Sequence, residues 1–217
     1  SVLAEIMHGG RSVAVSGTHG KTTTTSMLGL VMVLGGLDPT VLIGGELQDF
    51  GSNARVGRGE WVVAEADESD ASFHEMHPDR IIMTNVEADH LDFYADLNAV
   101  IESFRTFIGN LRPGGRVVAC LDDPGVRRVL DGLDVEVVGY GRQSADARMT
   151  VRDIGPRDGG RGMRFTPVWD GASLGEFTLG VPGVHNVLNA LATIACGIDA
   201  GVEIESMRRT LAAYGGA

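Results

Sequence analysis

The stretch Ser12-Val13-Ala14-Val15-Ser16-Gly17-Thr18-His19-Gly20-Lys21-Thr22-Thr23 decides how this sequence is read. Ser12 to Ser16 is a short apolar run with small residues at both ends, the composition of a strand covered on both faces. Glycines follow at once, and the spacing from Thr22 to about Leu34 predicts a helix. Strand, glycine-rich loop and helix in that order make Gly-Lys-Thr a phosphate cradle rather than an ordinary turn. Glycines let backbone N–H groups converge on phosphate oxygens, and the helix start adds a positive dipole end. Lys21 brings an ammonium that can reach β- and γ-phosphates, and Thr22 a hydroxyl suited to Mg2+. The usual spacing places a first glycine at position 15, where Val15 stands. The loop is therefore a variant in which Gly17 makes the turn.

Composition sharpens that reading. Lys21 is the only lysine, against seventeen arginines. It stands where a slender ammonium fits and a planar guanidinium does not. The chain has 217 residues, 43% of them hydrophobic, with 31 glycines, which describes a folded protein with many tight turns. Its formal net charge is −11, so a polyanion would be repelled and nucleic acid is excluded as the main partner. Cys120 and Cys196 lack metal or redox spacing and sit in apolar runs, as buried free thiols do. The longest near-apolar run, Leu28 to Leu37, is broken by three glycines. It is too short to span a membrane, and a cytoplasmic location is expected.

Outward from the loop, Val41 to Ile43, Trp61 to Ala64 and Arg80 to Thr84 read as further short buried strands. Leu97 to Leu111 carries Leu97, Val100, Ile101, Phe104, Phe107 and Ile108 on one helical face. Strands at Arg116 to Leu121 and Val135 to Tyr140 flank a short helix at about Gly125 to Leu133. After Gly141, Arg148 to Ile154, Gly162 to Trp169 and Leu174 to Leu179 read as antiparallel strands. Helices Asn186 to Gly197 and Glu203 to Ala213 close the chain. The expected fold is α/β: a doubly wound, mostly parallel sheet with the phosphate loop. A small antiparallel appendage precedes the last two helices.

The charge is concentrated. Between Glu60 and Glu102 stand twelve acids and one base, Arg80, while the rest of the chain is neutral. Glu65 follows one strand and Glu87-Ala88-Asp89-His90 the next, so both groups reach the strand ends where ligands gather in parallel sheets. Carboxylates beside nucleotide phosphates require divalent cations. Thr22 with Glu65 suits Mg2+, and a histidine with a carboxylate suits a second Mg2+ or Mn2+. A solvated acidic loop at Asp67 to Asp70 and a structural His90 are the plainer alternatives.

Four motifs in this order resemble the Mur ligases of peptidoglycan synthesis. They are Gly17 to Thr23, Glu65 to Phe73, Thr84-Asn85 with Asp89-His90-Leu91-Asp92, and His185 to Ala190. The resemblance covers essentially all 217 residues, and the acidic motif is most similar to the branch that adds L-alanine. It implies ATP-driven amide formation between UDP-N-acetylmuramate and L-alanine through an acyl phosphate. By the same resemblance, Lys21 clamps the γ-phosphate within a loop of Gly17, Thr18, His19, Gly20, Lys21, Thr22 and Thr23. Thr22 and Glu65 hold one Mg2+, and Glu65 and His90 a second. Asn186 and Asn189 sit at the adenine end, although Asn186 also suits a helix N-cap. Other members complete the second metal site with a carbamylated lysine, for which Leu97 to Leu111 has only Arg105. The resemblance also implies that residues 1–217 form one central ATPase domain. A UDP-sugar domain before it and an amino-acid domain after it would then be absent from this stretch. Three readings compete: a sister ligase that recycles murein peptides, a P-loop switch module, and a purely structural domain that binds no ligand. The sequence has no Asn-Lys-x-Asp motif for guanine.

Overall fold

The computed structural model describes residues 7, 9–47, 52–67, 72–88 and 94–216. Strand β1 (Arg11–Ser16) leads through the loop into helix α1 (Lys21–Leu34). β2 (Thr40–Leu47), β3 (Ser52–Arg55), β4 (Trp61–Glu65) and β5 (Arg80–Met83) follow. Next come α2 (Leu97–Ile108), β6 (Arg116–Cys120), α3 (Pro124–Leu130) and β7 (Glu136–Tyr140). The last third holds β8 (Met149–Pro156), β9 (Met163–Trp169), β10 (Ala172–Ser173), β11 (Phe177–Leu179), α4 (Val184–Asp199) and α5 (Ile204–Ala213).

All these strands join one sheet in the order β10-β9-β8-β7-β6-β5-β1-β4-β2-β3, with β11 paired to β9. From β2 through β4, β1, β5, β6 and β7 the pairing is parallel, and β8 extends it by one parallel pair. β3 and the strands beyond β8 are antiparallel. The fold is thus the expected α/β architecture. β1 lies between β4 and β5, so the loop after β1 and the ends of both neighbours meet at one edge.

Alternation along β1 divides the core. Val13 and Val15 face a cluster with Met27, Leu28, Val31, Leu191 and Ile194 from α1 and α4. Ala14 faces the opposite cluster with Ile81, Met83, Phe73, Phe104 and Phe107. Phe73 and Phe104 meet edge-on at 5.7 Å, holding α2 against that face. Asp96 caps α2 by accepting from Ala99 N at 3.0 Å. Asp123 caps α3 through Val126 N at 2.8 Å, with Pro124 in the first turn. At the foot of the sheet, Asp199 ends α4 and receives Arg80 Nε at 2.5 Å and Arg116 Nη1 at 2.8 Å.

Three local expectations change. Of the strand expected over Leu174 to Leu179 only Phe177–Leu179 forms, and Ala172–Ser173 pairs separately before it, since Gly175 turns the chain at φ 81° between them. Ser52–Arg55 pairs antiparallel with β2 as an edge strand that its polar sequence did not announce. Helix α4 starts at Val184 behind Gly183, whose φ is 102°. Asn186 is therefore inside the first turn and is not the N-cap. Its Nδ2 instead donates to the Pro182 carbonyl at 2.7 Å.

Candidate functional site: a phosphate loop at the switch point of the sheet

β1 delivers the chain to Gly17 (φ 127°) and Gly20 (φ 83°), both left-handed positions where a side chain would be strained. Between them, the loop is held by the end of β5. Thr18 N donates to the Asn85 carbonyl at 3.0 Å, and Glu87 N to Thr18 Oγ1 at 2.9 Å. His19 N donates to Asn85 Oδ1 at 2.8 Å, and Asn85 Nδ2 returns a bond to the His19 carbonyl at 3.0 Å. The Thr84 hydroxyl lies 2.7 Å from that same carbonyl. His19 itself is exposed, with Nε2 3.9 Å from Glu87 Oε2.

Lys21 opens α1 and its side chain is only 11% exposed, with Nζ 3.7 Å from Asp67 Oδ1. Thr22 Oγ1 donates to Glu65 Oε1 at 3.0 Å, and the other Glu65 oxygen accepts from Gly44 N at 2.8 Å. The carboxylate is thus fixed between α1 and β2, at the C-terminal end of β4. An oxygen pair of this kind, hydroxyl and carboxylate within contact, suits a hard divalent cation. Thr23 lies in the first turn, where helix N–H groups have no acceptor within the helix.

Asn189 is buried, and a Cβ on Gly20 would stand 2.9 Å from its Oδ1. Asn189 Nδ2 reaches Asn186 Oδ1 at 3.4 Å. The head of α4 therefore abuts the phosphate loop, and a glycine is required at their contact. Gly17, Thr18, His19, Gly20, Lys21, Thr22, Thr23, Glu65, Asn186 and Asn189 are all placed along one edge of the molecule. His90 and Glu68 to Asp70 lie outside the described residues. Among the described residues, no three or more His, Cys, Asp or Glu side chains cluster to hold a metal.

Sequence alone gives no role to three contributors, although Thr84 and Asn85 belong to one of the four motifs. Gly44 supplies a backbone donor, which no motif advertises. Thr84 and Asn85 carry a visible signal, a polar pair directly after a buried strand, but their target lies 65 and 66 residues earlier.

The chain matches known proteins over its whole length. The family model described as the Mur ligase middle domain matches residues 15–197. A UDP-N-acetylmuramate–L-alanine ligase of Burkholderia lata is 45% identical over 216 residues, 99% of this chain and 46% of that protein. The ligase of that name from Pelotomaculum thermopropionicum is 44% identical over 220 residues, 100% of this chain and 46% of its own. The chain thus spans about half the length of these curated relatives.

Among solved structures, the UDP-N-acetylmuramate–alanine ligase of Thermotoga maritima superposes with a TM-score of 0.83 at 30% identity. The match covers 100% of this chain and 48% of that one. A Neisseria ligase for UDP-N-acetylmuramate and L-alanyl-γ-D-glutamyl-meso-diaminopimelate gives 0.88 at 30% identity, covering 100% and 69%. A phosphate loop at the switch point, a carboxylate fixed beside its threonine and a family match over residues 15–197 lead to one conclusion: this chain belongs to the Mur ligases and carries their middle domain.

Proposed function

We propose that residues 1–217 form the nucleotide-binding domain of an ATP-dependent, cytoplasmic ligase that joins L-alanine to UDP-N-acetylmuramate. The observation that carries this is the Thr22–Glu65 contact of 3.0 Å beside the lysine-bearing phosphate loop, supported by 45% identity to ligases of that name. In the whole enzyme, the muramate carboxylate oxygen attacks the γ-phosphorus of ATP, and the bond to the leaving ADP oxygen breaks. The alanine nitrogen then attacks the acyl phosphate carbon, gives up a proton and expels inorganic phosphate. Lys21 lies on the γ-phosphate and offsets the charge that gathers as two anions meet. Thr22 and Glu65 would hold a Mg2+ ion, and Glu65 with His90 a second, where Mn2+ could substitute. Mg2+ bound there would neutralise phosphate oxygens and polarise the transferring group. Asn186 and Asn189 lie at the adenine end. Lys21 is the chain's only lysine, so no carbamylated lysine completes the second site here.

The sugar-binding and amino-acid-binding parts of the enzyme are proposed to lie outside this span, which matches 46% of its relatives. The reading is tested by calorimetric titration of ATP with and without Mg2+, repeated on Glu65→Ala. Mg2+-dependent affinity that Glu65→Ala abolishes is the expected result. Affinity indifferent to Mg2+ would contradict it. The structural neighbour acting on a peptide substrate keeps one second reading open, a murein-peptide ligase. Comparing L-alanine with the tripeptide as acceptor in the full-length enzyme separates the two.

A further inference from the structure

The phosphate loop is aimed from outside itself. Its His19 carbonyl receives two donors from the end of β5, Thr84 Oγ1 at 2.7 Å and Asn85 Nδ2 at 3.0 Å. The described chain has no cis peptide bonds, so the Gly20 N–H is antiparallel to that carbonyl. Whatever pulls the carbonyl toward β5 therefore turns the Gly20 N–H away from β5. At the same time Asn85 Oδ1 and the Asn85 carbonyl occupy the N–H groups of His19 and Thr18 at 2.8 and 3.0 Å. The loop's amides are sorted: two are committed to β5, and Gly20 joins the first-turn amides of α1, which lack helical acceptors. The approach is close. A Cβ at Gly17 would stand 2.2 Å from Thr84 Oγ1, so only glycine lets the β5 end reach the loop.

We propose that Asn85, assisted by Thr84, is a positioning residue that selects which loop amides meet the nucleotide's phosphates. Asn85 acts through the loop backbone and not on the ligand. The inference rests on the nucleotide reading above and goes beyond it by assigning the recognition to Gly20 and α1 amides while excluding His19.

The test uses the 15N-labelled chain, with Mg2+–ADP and inorganic pyrophosphate as probes. On titration the Gly20 amide resonance should move strongly while the His19 amide stays in place. Asn85→Ala should weaken Mg2+–ADP binding about tenfold, the loss of roughly one well-placed hydrogen bond. Thr84→Val should weaken it and Thr84→Ser should not. Wild-type binding with a His19 amide that moves as Gly20 does, or with Asn85→Ala and Thr84→Val binding normally, overturns the positioning role and leaves the nucleotide reading intact. No binding by the wild type overturns both. The amide pattern needs no substitution, so a variant that fails to fold does not remove the test.

Discussion

The Lys21 ammonium lies 3.7 Å from the Asp67 carboxylate, and only 11% of the lysine side chain is exposed. A carboxylate thus occupies part of the space around the cation that is proposed to receive the γ-phosphate. Phosphate oxygens must displace it, and the displacement costs little because Asp67 itself is 56% exposed. Asp67→Asn is therefore expected to strengthen Mg2+-free ATP or pyrophosphate binding by about two- to fivefold at low salt. The gain should shrink at 0.5 M salt, where screening acts over a few ångströms. Calorimetry at two ionic strengths checks this, and equal affinities at both would remove Asp67 as a competitor.

The Thr22 hydroxyl donates to Glu65, and both atoms are proposed to face the first Mg2+ ion. Thr22→Val keeps the shape of the side chain but removes the oxygen. It should erase the Mg2+-dependent part of ATP affinity, about tenfold or more, while leaving the Mg2+-free part close to wild type. Thr22→Ser should restore it. Loss of both parts together would point to a disrupted helix start instead.

Asp122 sits at the end of β6 and accepts from the backbone N–H groups of Arg142, Gln143 and Ser144 and from the Ser144 hydroxyl. Burial pulls its pKa upward, but these donors outweigh burial and hold it below the ordinary carboxylate value. A carboxylate lowered by folding adds stability that is fully present above its unfolded value, near 4. That stability is lost as pH falls through the folded value. Asp122→Ala should cost roughly 1–2 kcal/mol at pH 7, allowing for partial exposure. Thermal melts from pH 7 to pH 2 should show the two proteins converging as acidity rises. A constant difference across that range would mean the carboxylate charge is not what the loop holds.

Cys120 and Cys196 are buried free thiols. Burial pushes the first to about 11 and the second to about 12. Both stay protonated at neutral pH and away from solvent, so neither should react with a thiol reagent in the folded chain. Two equivalents should react in denaturant. Fast labelling of the native protein at either position would contradict this packing.

The sheet and its loop were legible because their signals are local. Val13 to Val15, Gly17, Gly20 and Lys21 stand within nine residues, and their order alone orients the strand, loop and helix. Glu65 could be assigned to the same edge because parallel strands end together: Val15 pairs with Glu65 in the register. The departures have physical causes that sequence patterns do not carry. Ser52–Arg55 is an edge strand, exposed at Asn53 and Ala54, so it shows no alternation. Gly183, at positive φ, starts α4 earlier than Asn186, and an asparagine two residues inside a helix reads like a cap. The hold of Thr84 and Asn85 on His19 depends on β5 lying beside β1, and that pairing is a property of the sheet.

The grip of Arg80 and Arg116 on Asp199 has a consequence at the other end of the molecule. α4 is a 16-residue rod, about 24 Å long, whose tail is anchored to β5 and β6 and whose head carries Asn186 and Asn189. Its tail cannot shift without breaking a two-arginine anchor, and Val187, Leu191 and Ile194 pack its length into the core. The contact of Asn189 with Gly20 is thereby held from along the whole helix, and the wall that α4 sets beside the loop keeps its place whatever the loop receives.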